Sequence, residues 1–104
     1  MTSNLATPAD STATRHDDGT MVVTMAGDWL LSGALPSPDA LIEQLRSGVS
    51  RLAFDTTALA EWDTAALAFV LQLSGTARNA SVPVDASGLP AGLQRLLVLA
   101  EAVP

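Results

Sequence analysis

From Ala65 to Ala77 the sequence reads AALAFVLQLSGTA, thirteen residues without a single charge. The run is too short to cross a bilayer, and its periodicity predicts a helix extending to about Asn79, with Asp63 or Thr64 as its cap. Leu67, Val70, Leu71 and Ser74 fall at helical spacing and supply one inner face. Phe69 and Leu73 lie about 100–160° from parts of that stripe, so the apolar arc is wider than one packing face needs. Such a helix needs a sheet beneath it, and a further element or a partner over the excess.

The rest of the chain supplies the sheet. An Asp-Gly turn in Arg15-His16-Asp17-Asp18-Gly19-Thr20 precedes TMVVTMAG, where Met21, Val23 and Met25 alternate with Val22, Thr24 and Ala26. That pattern predicts a short first strand, a hairpin and a buried second strand ending at Gly27-Asp28-Trp29. Ser37 and Pro38 open a first helix carrying Leu41, Ile42 and Leu45, and Gly48 stops it. Residues 49–55 form the next strand, with Leu52 and Phe54 on one side, and Thr56 to Trp62 is a loop. Ser81 to Asp85 is a strand that Pro83 confines to an edge, and Pro90 opens a last helix with Leu93, Leu96, Leu97 and Ala100 inward.

The order is β-β-α-β-α-β-α. Helical crossovers between strands demand parallel pairing, so the expected fold is a single α/β domain with a mixed β-sheet covered by helices. Residues 1–13 are small, polar and without period, and are expected to be a flexible tail; the domain is expected to span 14–104.

Composition narrows function. Five Arg, no Lys and eleven acids give a net charge of −6, which repels nucleic-acid phosphates and anionic lipid headgroups. The chain has no apolar run of membrane-spanning length, and its start lacks the pattern of a secretory signal, so a cytoplasmic location without membrane insertion is expected. The absence of cysteine removes disulfides, thiolate metal sites and Cys nucleophiles.

Catalytic and cofactor signals are equally thin. The one histidine, His16, falls in the first turn, and no Gly-rich phosphate loop or metal-ligand spacing is present, so no enzymatic activity and no cofactor or metal are expected. Asp28, Asp55 and Asp85 end strands and Asp63 begins a helix, a layout in which several acids converge on the edge that holds Thr64. A receiver-type Mg²⁺ site would also need a Lys. The expected role of these acids is to accept hydrogen bonds from loop amides.

The remaining signal is a surface. Ala65, Ala68, Gln72 and Thr76 are off-stripe positions on the second helix, small or neutral, where another backbone can approach closely. Trp29 and Trp62 fall in predicted loops near the same edge, either as plugs over the core or as interface anchors. Partner binding is therefore expected to involve Trp62, Asp63, Thr64, Ala65, Ala68 and Gln72.

Phe54-Asp55-Thr56 followed by Trp62-Asp63-Thr64-Ala65-Ala66, with the earlier Gly27-Asp28 step, resembles the strand, loop and helix start of STAS domains, the fold of anti-sigma-factor antagonists. The resemblance covers about residues 14–102. It implies that Thr64 occupies the place of the phosphorylatable hydroxyl and Asp63 the acid before it, although Ala65 and Ala66 depart from the small-hydroxyl and Gly pattern of phospho-regulated members. The Gly27-Asp28-Trp29 step, the Ala-rich start of the second helix and the closing Leu99-Ala100-Glu101-Ala102-Val103-Pro104 resemble a different branch, the STAS components or N-terminal STAS domains of Mla-type phospholipid ABC transporters. That likeness implies a non-enzymatic domain that binds the ABC ATPase subunit at the inner face of the cytoplasmic membrane. The first branch implies instead an anti-sigma-factor antagonist switched by a partner kinase at Thr64.

Overall fold

Eight elements follow one another in the computed structural model, which describes residues 8–102. Strands β1 (Asp10–Arg15) and β2 (Thr20–Trp29) are followed by helix α1 (Asp39–Leu45), strands β3 (Arg51–Asp55) and β4 (Leu59–Trp62), helix α2 (Thr64–Asn79), strand β5 (Val84–Asp85) and helix α3 (Ala91–Ala102). The sheet order is β1-β2-β3-β5, with β4 also paired to β2. The β1–β2 hairpin is antiparallel and all other pairings are parallel. The α/β class, the mixed sheet and the helical crossovers agree with the sequence reading.

Two segments differ from it most, and the expected strand Ser81 to Asp85 narrows to Val84–Asp85. β1 begins at Asp10, four residues before the expected boundary at Thr14, because the small residues of DSTATR borrow their order from β2: Asp10 lies opposite Ala26 and Arg15 opposite Met21. Residues 1–7 of the expected tail, like Val103-Pro104 of the closing phrase, lie outside the described residues. The stretch Thr56 to Trp62 is not all loop, since Leu59–Trp62 forms β4. Its signal was hidden because β4 pairs only at Gly27–Leu59 and Trp29–Trp62, across an irregularity in β2. There Gly27 takes φ +80° and donates its N–H to the Ala58 carbonyl at 3.0 Å, a left-handed bend that a side chain would oppose.

The core lies between one face of the sheet and the helices. Met21, Val23, Met25 and Trp29 of β2 and Leu52 and Phe54 of β3 are buried on that face, while the alternate β2 residues are only half-buried. β2 is therefore covered on one side, as its strict alternation dictates. Ala66, Phe69, Val70, Leu73, Ser74 and Ala77 bring α2 onto this face, and Leu67 and Leu71 are partly buried at its border. The excess arc on α2 is thus absorbed largely within the domain: Phe69 packs edge-on against Trp29 with ring centroids 4.6 Å apart, and α2 contacts both α1 and α3. Burying Phe and Leu side chains this way contributes about 1.5–3 kcal/mol each.

Helix α3 is tied to α2 by Leu93 and Leu97, while Leu96, expected inward, is exposed and Ala100 is half-buried. Its C-terminal end is held by Glu101, which pairs with Arg78 and accepts a hydrogen bond from the buried Ser74 hydroxyl at 3.1 Å. β5 closes the far edge with two residues, just after Pro83.

Candidate functional site

Because β2, β3, β4 and β5 are parallel, their C-terminal ends point the same way but are staggered: Trp29 and Trp62 are level and α2 starts directly after β4, whereas Asp55 ends level with Thr24 and Asp85 level with Ala53. Asp63 organises that start. Its Oδ1 accepts the Ala65 N–H at 2.8 Å as the N-cap of α2, and its Oδ2 accepts the Leu31 N–H at 3.0 Å. The Asp63 N–H in turn donates to the Trp29 carbonyl at 3.1 Å. One carboxylate therefore joins the helix start to the connection between β2 and α1.

Thr64 is the first residue of α2, not its cap, and is exposed. Of the two caps the sequence allowed, the helix uses Asp63, whose extended backbone (φ −137°, ψ −155°) aims its side chain at the free amides. Trp29 is also corrected: it ends a strand rather than lying in a loop, and is fully buried, with its indole N–H donating to the Ala26 carbonyl at 2.9 Å. Trp62 is half-buried on β4 with its ring edge about 3.3 Å from where a Cβ at Gly92 would sit, so it packs under the start of α3.

Beside Thr64 lies a shallow groove of about 160 Å³ between the 30–38 connection and the outer side of α2. Leu31, Leu35 and Pro36 form one wall and Ala68 and Gln72 the other, with Trp29, Ala65 and Phe69 beneath. Leu31 is 68% exposed and Leu35 39% exposed, unusual for leucines beside a formed core. Ala68 and Gln72 are exposed, whereas Ala65 is buried and contributes only to the floor. The structure thus brings Ala65, Ala68 and Gln72 into one groove with Asp63 and Thr64 at its end, and sets Trp62 apart under α3.

Sequence reasoning missed Leu31 and Leu35. Their signal was present in LLSGALP, where three leucines stand in a connection that has no helix or strand of its own to place them in. It also missed the outer face of α3, where Ala91, Gln94, Arg95, Val98 and Leu99 line a broader depression of about 510 Å³. That depression is larger than the α2 groove, but it includes none of the residues near Thr64.

The acids at the strand ends are committed to loop amides. Asp55 Oδ1 accepts the Thr57 N–H at 3.0 Å and the Thr57 hydroxyl at 2.8 Å, and these bonds hold its carboxyl below the ordinary range. The Ser87 hydroxyl and amide do the same for Asp85, and Asp28 Oδ1 accepts the Glu61 N–H at 3.3 Å. Among the described residues no set of three His, Cys, Asp or Glu side chains is grouped to hold a metal ion, and no helix is long and apolar enough to cross a membrane. What the arrangement offers chemically is an apolar slot, an accessible hydroxyl and ionised carboxylates.

Residues 12–102 match the family model described as Mlab, STAS domain. No curated protein matches the chain.

Proposed function

The chain belongs to the STAS-domain family, a family of generally non-catalytic interaction domains, and we propose that it binds and regulates the ATPase subunit of an Mla-type lipid ABC transporter through the groove beside Thr64. The observation that carries this reading is the pair of exposed leucines, Leu31 and Leu35, facing the small exposed surface of Ala68 and Gln72. An apolar slot walled by a helix and a tethered loop accepts a side chain or helix face from another protein. The Gly27-Asp28-Trp29 step and the Ala-rich start of α2 support the transporter branch. The domain would then work at the inner face of the cytoplasmic membrane as part of a complex.

A test is binding of the purified domain to the Mla-type ATPase subunit from the same genome. Wild type binds, and Ala68→Glu, folded by circular dichroism, does not, because a carboxylate is driven into the contact. Unchanged affinity in folded Ala68→Glu removes this surface, and absence of binding by wild type removes the transporter reading.

One observation favours a second reading, an anti-sigma-factor antagonist switched at Thr64. The Thr64 side chain is exposed at the first position of α2, where a kinase can reach it and where helix N-terminal amides favour a phosphate by about 0.3–1 kcal/mol. Incubation with the cognate kinase and ATP followed by intact-mass measurement tests it; an unmodified Thr64 removes it.

A further inference from the structure

The parallel sheet sorts the charges of this chain. Asp28 lies at the C-terminal end of β2, and Asp10, on the antiparallel β1, lies opposite Ala26 near the same end, whereas Asp55 is level with Thr24 in the middle of β2 and Asp85, paired with Ala53, is level with Val22 and within electrostatic reach of Arg51. Glu61 and Asp63 lie at the end of β4, and Asp39 opens α1, which must run from the end of β2 back to the start of β3. Five of the eleven acids, Asp10, Asp28, Asp39, Glu61 and Asp63, therefore gather at the end that carries the groove, accompanied only by Arg95 in the second turn of α3.

The opposite end balances. Arg15, Arg46, Arg51 and Arg78 lie there with four acids: Glu43 pairs with Arg46 at 3.6 Å, Glu101 pairs with Arg78, and Asp17 and Asp18 occupy the β1–β2 turn. Most of the net charge of −6 is thus carried by the groove end, and the remainder by Asp55 and Asp85 in the middle of the sheet. Three helix N-termini at that end contribute roughly half a positive charge each, which offsets only a fraction of it.

We infer that the groove receives a basic partner surface, an apolar anchor seated against Leu31 and Ala68 and flanked by Arg or Lys that face the acidic rim. This rests on the reading of the groove as the docking site and specifies its partner's chemistry. The apolar slot alone would accept any hydrophobic segment; the one-sided charge selects among them. An acidic or neutral segment meets uncompensated repulsion, while a basic one is steered in and held in register.

The test uses the full chain and a pair of short synthetic peptides with the same leucine anchor, one flanked by arginines and the other by glutamates. Binding is followed by the amide NMR shifts of Leu31, Ala68 and Gln72. The arginine peptide moves these resonances, and its affinity falls roughly tenfold as salt rises from about 50 to 300 mM. Glu61→Lys weakens it by about tenfold, and Asp17→Lys, at the balanced end, changes it less than about twofold. Equal binding of the glutamate peptide, or shifts confined to another face, overturns the inference. If the ATPase binds through Ala68 with no dependence on salt or Glu61, the inference falls and the transporter reading stands. If the arginine peptide binds as described and the ATPase does not, the inference stands and the transporter reading falls.

Discussion

At the level of single residues, Asp63 carries more of this site than Thr64 does. Its two carboxylate oxygens serve two segments, the Ala65 amide of α2 and the Leu31 amide of the connection. Asp63→Ala removes both acceptors, and urea unfolding is expected to show a loss of about 1–2 kcal/mol. Asp63→Asn keeps an acceptor for the cap and loses less, and Thr64→Ala, at an exposed first position, shifts stability by under about 0.5 kcal/mol. A large loss in Thr64→Ala would return the capping role to the hydroxyl. Gly88 makes a second residue-scale case: a Cβ there would overlap the Phe54 carbonyl oxygen on β3, and backbone cannot swing aside as a side-chain tip does. Gly88→Ala is expected to cost about 1–3 kcal/mol in the same urea experiment. The acid-hydroxyl pair at the helix start was legible in the sequence, since caps have strong residue preferences. Which of the two was the cap was not, because that depends on the backbone angle at Asp63. Nor was the fate of Trp29, whose burial follows from the position of Phe69 some forty positions along.

Elements were legible where periodicity was their own and illegible where a neighbour supplied it. β2 and α2 carry their patterns in their own residues, and both were read. β1 was legible as a short first strand but its early start was not, and β4 was missed; both are short and half-exposed, and owe their order to pairing with β2. The inner face of α2 shows the same effect: Phe69 and Leu73 looked like excess because the sheet was assumed to meet Leu67 and Leu71, and the structure rotates the helix so that these last two lie at the border. The connections between elements are pinned by a repeated device, an Asp whose side chain accepts the amide two residues on. It occurs at Asp18 with Thr20, Asp55 with Thr57 and Asp85 with Ser87. These bonds, from the Thr20 amide, from Thr57 and from Ser87, hold all three carboxyls below the ordinary 3.8. A carboxyl whose folded pKa is depressed stabilises the fold fully above its unfolded pKa, and that contribution is lost as pH falls through the folded value. The urea midpoint is therefore expected to hold between about pH 7 and 5 and to decline below about 3.8, with a shallower decline in Asp55→Asn. A midpoint insensitive to acid would mean that these turns do not couple to folding.

Across the whole molecule, the topology that builds the groove also concentrates charge around it. The level ends of β2 and β4 place Asp28, Glu61 and Asp63 together, and the same end receives the starts of the helices, whose amides are the natural partners of acids. The sequence showed the total of −6 but not its asymmetry, which needs the strand directions. Asymmetry has a cost in stability: like charges at one end repel, while the balanced end holds exposed pairs that are individually weak. Screening should then relieve more repulsion than it removes attraction. Raising monovalent salt from about 20 to 300 mM, which shortens the Debye length from roughly 20 Å to below 8 Å, is expected to raise the melting temperature by a few degrees. Neutral substitutions separate this from a general salt effect. Glu61→Gln at the crowded end raises the low-salt melting temperature, whereas Glu43→Gln, which loses its exposed Arg46 partner, leaves it level or lowers it slightly. If both substitutions act alike, the charge is felt as a total and the acidic end has no separate effect on stability. If they diverge, the repulsion at that end is what a basic partner would relieve on docking, so that binding and thermal stability would share one electrostatic origin.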